Sequence, residues 1–162
     1  MSQATRHAGR VLLVDCNPDD EELTLRALKH ADAADEVVVA HDGTQALDYL
    51  LAEGKFDADD PRPLPTVVLL DLRLPKLDGL EVLKRIRSDA RTRVIPVVIL
   101  TSSGEEEDLI RSYECGANSY VRKPVNFAEF TAVVGQLAAY WLVLNRLPRS
   151  VGKNLTQTVR SP

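Results

Sequence analysis

The sequence predicts an α/β fold: a doubly wound, five-stranded parallel sheet in the order 2-1-3-4-5, with five helices. Three observations predict it. Short apolar runs alternate with helix-period segments five times along the chain. The runs are apolar throughout rather than alternating, which suits strands covered by helices on both faces. Four of them close on a polar residue, Asp15, Asp71, Thr101 or Lys123, at the carboxyl end where open α/β sheets carry their sites.

Taken in order, RVLLVD (10–15) is the first strand. Asn17, Pro18, Asp19 and Asp20 then read as a helix start, with Asn at the N-cap, Pro at N1 and acids in the first turn. That helix is expected to bury Leu23, Ala27, Leu28 and Ala31. EVVVA (36–40) is strand two, and TQALDYLLAE (44–53) is helix two with Ala46, Leu47 and Leu50 inward. GKFDADDPRPLP (54–65) is a proline- and aspartate-rich surface loop. TVVLLD (66–71), the most apolar run, is expected at the sheet centre.

Gly79 opens helix three, with Leu80, Leu83 and Ile86 inward, and PVVILT (96–101) is strand four. Acids from Glu105 to Asp108 start helix four, where negative charge suits the helix dipole without any ligand. NSYVRK (118–123) is strand five and 126–145 is a long last helix. On that helix Phe127, Phe130, Val134, Leu137, Trp141 and Leu144 share one stripe. Val133, Tyr140, Leu142 and Val143 add apolar surface on other sides, and a helix that is apolar nearly all round needs a second partner.

The 162 residues suffice for one domain with a real core. The division read from composition is 1–9 disordered, 10–147 folded, and 148–162 a polar tail expected to be disordered. A formal charge of -4 argues against nucleic acid as a partner, since binders carry a basic patch. The basic residues between Lys84 and Arg93 are interrupted by acids and apolar residues, as on a solvated helix face. Two cysteines without CxxC spacing, no secretory h-region and no uncharged apolar stretch near the roughly 20 residues that span a bilayer imply a reduced, cytoplasmic chain with no membrane partner. The Asn154-Leu155-Thr156 triplet is then no glycosylation acceptor in practice.

Asp15 and Asp71, on neighbouring strands, need a counter-charge if both ionise. A hard cation such as Mg²⁺ supplies it through oxygen ligands. A phosphoryl group on Asp71 brings further negative oxygens, for which Lys123 offers charge and Thr101 a hydrogen bond. An aspartate carboxylate is a known nucleophile for forming an aspartyl phosphate. Singly, each of these residues reads as a turn, surface or cap residue; four at separate strand ends do not.

The motifs VLLVDCNPDD, VVLLDLRLPKLDGLEVL, PVVILTSS and ANSYVRKPV together resemble the response-regulator receiver domain of two-component signalling, over residues 10 to about 145. The resemblance implies a flavodoxin-like receiver fold. It implies Asp71 as phosphoacceptor from a sensor histidine kinase, Lys123 as the phosphoryl contact, and Thr101 with Tyr120 as the switch pair. Asp15, Asp71 and the Arg73 carbonyl would hold Mg²⁺, and the Lys123-Pro124 bond would be cis. More narrowly, SYECGANSYVRKPV, the long loop before strand three and a last helix ending YWLVLNRLP resemble the stand-alone regulators of bacterial phytochromes. Those imply a phytochrome as kinase and a homodimer through helix four, strand five and helix five.

One position departs from the pattern. Receivers carry two acids after strand one and the second binds the metal, whereas this chain has Asp15-Cys16. A thiol suits soft metals and Mg²⁺ favours oxygen, so weakened Mg²⁺ binding is expected. A redox role for Cys16 is disfavoured by its acidic surroundings. The leading reading is a single-domain, non-enzymatic response regulator whose output is a protein contact or a phosphorelay, since nothing after residue 148 reads as an output domain. The alternative is a pseudo-receiver that binds partners with little or no phosphorylation. A haloacid-type hydrolase would want an acid where Arg73 stands.

Overall fold

The computed structural model describes residues 9–51 and 63–148. Five strands, β1 (Arg10–Val14), β2 (Glu36–Ala40), β3 (Val67–Leu70), β4 (Val97–Thr101) and β5 (Ser119–Arg122), alternate with α1 (Pro18–Ala31), α2 (Gly43–Leu51), α3 (Gly79–Ser88), α4 (Glu106–Glu114) and α5 (Phe127–Ala138). All pairings are parallel and the order is β2-β1-β3-β4-β5, as expected. The central strands are buried end to end because each side chain meets helices on its own face.

Alternate strand residues divide the core in two. Leu12, Val14, Val68, Leu70, Val97 and Ile99 pack with Ala46, Leu47 and Leu50 of α2 and with Val82, Leu83 and Ile86 of α3. On the other face Val11, Leu13, Val67, Leu69, Val98 and Leu100 pack with Ala27 and Leu28 of α1 and with Phe130, Val134 and Ala138 of α5. Each fully buried aliphatic side chain contributes about 1.5–3 kcal/mol. Leu23 and Ala31, expected inside, are only partly buried at the margin of this second core. α4 is different: Ser112 is its only buried residue, and its N-cap, Glu105, makes no side-chain hydrogen bond.

Gly9, read from the sequence as part of the N-terminal segment, is buried. Its carbonyl accepts from the Asp35 and Glu36 backbone N–H groups at 2.7 and 3.2 Å. The expected disorder of residues 1–8 and 149–162 and the loop over 54–62 lie outside the described residues.

The last helix departs from a uniform α-helix. After Ala138 it widens into a π turn over Ala139–Leu144, where the Asn145 N–H bonds the Tyr140 carbonyl five residues back. A wider turn advances each side chain by a smaller angle, so a stripe drawn at α spacing drifts off the core. Phe130, Val134, Leu137 and Trp141 do face the sheet. Leu144 stands 68% exposed and Phe127, in the first turn, 57%. Leu142, expected on an outer side, packs against the core and Gly9. Phe127–Leu144 is also, by length and composition alone, apolar enough to cross a membrane, but it contains Glu129 and so is not the uncharged stretch of about 20 residues whose absence the sequence predicts. Its one charge, Glu129, lies near the start, and one face is packed on the sheet.

Candidate functional site

The sheet itself brings the polar strand ends together. Beyond β1, the Asp15 N–H bonds the Ala40 carbonyl at 3.0 Å; beyond β3, the Asp71 N–H bonds the Val14 carbonyl at 3.0 Å. The ladder between β4 and β5 continues with the Lys123 N–H on the Thr101 carbonyl at 2.7 Å. Gly79 presses the start of α3 against this edge: its N–H bonds the Leu72 carbonyl at 2.9 Å, and a Cβ there would collide with the Asp71 carbonyl oxygen. The position accepts no side chain.

Lys123 is the centre of the site. Its Nζ donates to Asp15 Oδ2 at 2.9 Å, Asp71 Oδ2 at 2.8 Å and Asp20 Oδ2 at 2.8 Å, with the lysine side chain only 4% exposed. Asp20 arrives from the first turn of α1, whose start is fixed by the Asn17 side chain accepting from the Asp19 and Asp20 N–H groups. Asp15 Oδ1 accepts from the Asn17 N–H, and Asp71 Oδ1 from the Arg73 N–H. Burial opposes the charge on Lys123. The hydrogen bonds Lys123 donates to Asp20 and Asp71 and the charges of Asp71 and Asp15 outweigh it, and the lysine pKa is raised. Asp15 is pushed up from 3.8, first by burial and further by the Asp71 charge, against the lowering pull of Asn17 and Lys123. With all three acids ionised against one ammonium, the cluster carries -3 + 1 = -2.

That surplus is the test for a metal. Among the described residues no three acid, histidine or cysteine side chains stand round an open point as a ready cage, because these acids close on Lys123 instead. The donor set nevertheless fits a hard divalent cation: carboxylates short of positive charge, beside the Arg73 backbone carbonyl. The Cys16 thiol does not fit one. Cys16 is exposed, and its S–H donates to that same Arg73 carbonyl at 3.3 Å.

Thr101 is fully buried, and its Oγ1 accepts a long 3.4 Å bond from the Ser103 N–H. Tyr120 is half-buried and donates to the Ser103 carbonyl at 2.9 Å, so the two switch residues meet the same loop residue. Ser103 Oγ donates to Asp108 at 2.5 Å, and Asp108 pairs with the Arg73 guanidinium at 3.2 Å. The Lys123-Pro124 bond, expected cis, is trans, with no cis bond among the described residues. Trans is the intrinsically favoured isomer by about 0.5–1 kcal/mol, and Lys123 reaches all three acids with it. A cleft of about 480 Å³ opens beside Lys123, lined by Asp20, Ser102, Pro124 and Phe127 among others. A groove of about 550 Å³ between α1 and α5 includes none of the site residues.

Sequence reasoning therefore found Asp15, Asp71, Thr101 and Lys123 but missed Asp20, Ser103 and Asp108 as parts of one network. Asp20 was legible in principle, because acids in the first turn of a helix that follows β1 directly lie close to that strand's end.

The receiver-domain family model, described as "Response regulator receiver domain", matches residues 11–135. Response regulator Rcp1 of Synechocystis is 35% identical over 91% of this chain and 99% of its own. The Mn²⁺-bound form of Rcp1 superimposes with a TM-score of 0.79, at 36% identity over 86% and 99% of the two chains. The phosphorylated cyanobacterial phytochrome response regulator RcpA gives 0.81, at 38% identity over 88% and 99%. The bacteriophytochrome response regulator AtBRR is 52% identical over 86% and 99%, with a TM-score of 0.67.

Two opposite stability effects follow at pH 7 in metal-free buffer. Lys123→Met leaves buried acids without their counter-charge and costs about 3–5 kcal/mol in urea unfolding. Because the lysine pKa is raised, its contribution is whole below 10.5 and fades only as pH climbs through the folded value. Asp15→Asn removes a carboxylate whose ionisation burial penalises, and raises the melting temperature. That gain shrinks as pH falls toward 3.8, where the wild-type acid is protonated. A neutral Lys123→Met, or a destabilising Asp15→Asn, contradicts this account.

Proposed function

The chain belongs to the response-regulator receiver domain family, a signalling rather than a catalytic family, and on that premise we propose that it accepts a phosphoryl group on Asp71 from a sensor histidine kinase. The observation that carries this reading is the contact of Asp71 with the buried Lys123 ammonium at 2.8 Å, beside Asp15 and Thr101. An Asp71 oxygen attacks phosphorus, the P–N bond to the donor histidine breaks, and its electron pair leaves with the imidazole. Lys123 then pairs with one phosphoryl oxygen and Thr101 Oγ1 donates to another. Asp15, Asp71 and the Arg73 carbonyl would hold a divalent cation, which would supply positive charge to the phosphoryl oxygens.

The pseudo-receiver alternative rests on Cys16; against it, Asp71, Thr101 and Lys123 all stand together at the site. A bacteriophytochrome is the kinase we favour, on similarity to RcpA and AtBRR, with the chain acting in the cytoplasm by protein contact or phosphorelay. We also propose a homodimer through α4, β5 and α5. Supporting it are exposed Ile110 and Tyr113 on α4, and Tyr140, Val143 and Leu144 at the end of the last helix. Thr101, Ser103 and Tyr120 link Asp71's neighbourhood to that face.

Incubation with acetyl phosphate and Mg²⁺ adds one acid-labile phosphoryl group by intact mass, and Asp71→Asn abolishes it. An unchanged mass at high Mg²⁺, with acetyl phosphate and with a cognate kinase, would leave the pseudo-receiver standing. Light scattering at micromolar concentration gives a dimer for the wild type and a monomer for the Tyr140→Ser, Val143→Ser double variant. A wild type that stays monomeric, phosphorylated or not, removes the dimer.

A further inference from the structure

The loop between β3 and α3 holds a backbone conformation that its residue type resists. The Leu77 N–H bonds the Pro75 carbonyl at 2.7 Å, closing a three-residue γ-turn, and Lys76 at its centre has φ of 69°. The positive-φ form of this turn is rare and strained, and lysine has none of glycine's freedom there. Such a residue persists only where its surroundings hold it, and strain of this kind gathers at functional sites. Here the surroundings are the β2–α2 corner. Gly43 is buried against the turn, and a Cβ on it would collide with the Leu77 carbonyl oxygen and Cβ. Asp42, 5% exposed, fixes that corner by accepting from Thr44 Oγ1 at 2.6 Å and from the Gln45 N–H at 2.8 Å. Its other oxygen meets Lys76 Nζ at 3.5 Å, but the lysine side chain is 66% exposed, and so open a pair contributes little. Shape rather than charge seats the turn.

We propose that the strained turn at Lys76, seated on Gly43, is a positioning device for the phosphoacceptor edge, setting where the Arg73 carbonyl stands and with it the affinity for a divalent cation. The inference rests on reading this edge as a receiver's metal-binding site. The loop leaves the sheet at Asp71 and is pinned again at Gly79, whose N–H bonds the Leu72 carbonyl at 2.9 Å. Near its start, the Arg73 N–H reaches Asp71 Oδ1 across a long 3.2 Å bond. With both ends pinned, a change of φ at Lys76 has to be absorbed by its neighbours. Gly43 closes the space beside Leu77, so the displacement passes back toward Leu74 and Arg73. Lys76 acts through the Arg73 backbone and is a positioning residue.

Substitutions at one position separate the turn from the charge. Lys76→Gly and Lys76→Val both remove the ammonium, but glycine takes positive φ freely whereas β-branched valine resists it. In calorimetric Mg²⁺ titration of the metal-free chain, Lys76→Gly is expected to bind within about twofold of wild type and Lys76→Val about tenfold more weakly. Lys76→Ala, a milder obstacle to the turn, is expected between them. Val134→Ala truncates the core on the opposite face of the sheet and controls for lost stability; its Mg²⁺ affinity should match wild type. Unchanged affinity in Lys76→Val and Lys76→Ala overturns the proposal. Equal losses in Lys76→Gly and Lys76→Val, or a like loss in Val134→Ala, also overturn it. Asp71 phosphorylation is scored separately by intact mass. Normal phosphorylation with Mg²⁺ affinity unmoved by valine defeats only the positioning role. A valine-specific loss of Mg²⁺ binding in a chain that takes no phosphoryl group supports that role and counts against the phosphoacceptor reading.

Discussion

Four charged groups from four separate stretches of chain meet at one nitrogen. Lys123 Nζ lies 2.8–2.9 Å from carboxylates that follow β1, follow β3 and begin α1. These contacts hold only if β1 and β3 are neighbours, if β4 and β5 pair in the observed register, and if α1 starts within a few residues of β1. A one-residue slip of β5 would turn Lys123 to the opposite face of the sheet and leave the acids unpaired. The cluster thus makes topology, register and helix entry interdependent. It remains electrically unbalanced, with more acid than one ammonium neutralises. Stability alone would favour fewer acids there; the surplus is what a bound cation would offset.

Legibility differed between the backbone and the contacts. The strands were plain from sequence because β1, β3 and β4 are buried on both faces and so read as unbroken apolar runs. The start of α1 was plain because Asn17 announced it as a cap, whereas the caps at Asp78 and Asn126 emerge only in the structure. Four of the site residues were legible because strand ends in this topology converge. Asp20, legible in principle from its place just after β1, was passed over because first-turn acids already have a sufficient explanation in the helix dipole. Asp108 was hidden for the same reason: it looked like a helix-start acid and is also the partner of Ser103 and Arg73. The outward Leu144 was hidden because a π turn leaves no periodicity of its own in six residues.

Uneven burial gives the site a direction in which to act. α2, α3, α1 and α5 are each anchored by several core side chains, whereas α4 buries only Ser112 and lacks a side-chain N-cap. Few buried contacts mean a low cost of local rearrangement. What holds the β4–α4 connection is polar: Thr101 to Ser103, Ser103 to Asp108, Asp108 to Arg73, and Tyr120 to the Ser103 carbonyl. Of these four bonds the one to Thr101 is the longest, at 3.4 Å. Thr101 accepts from the Ser103 N–H, and the Arg73 guanidinium pairs with Asp108, so both residues are tied to Ser103 or to its partner.

Cys16 belongs to the same strand edge but answers to a different constraint. Its neighbour Asp15 is buried, hydrogen-bonded to Asn17 and Lys123, and cannot change without disturbing the cluster. Cys16 is exposed and makes one bond, to a carbonyl. A residue so placed tolerates substitution in the fold while sitting beside the groups a metal would use. Position 16 can therefore vary without cost to the packing that positions Asp71.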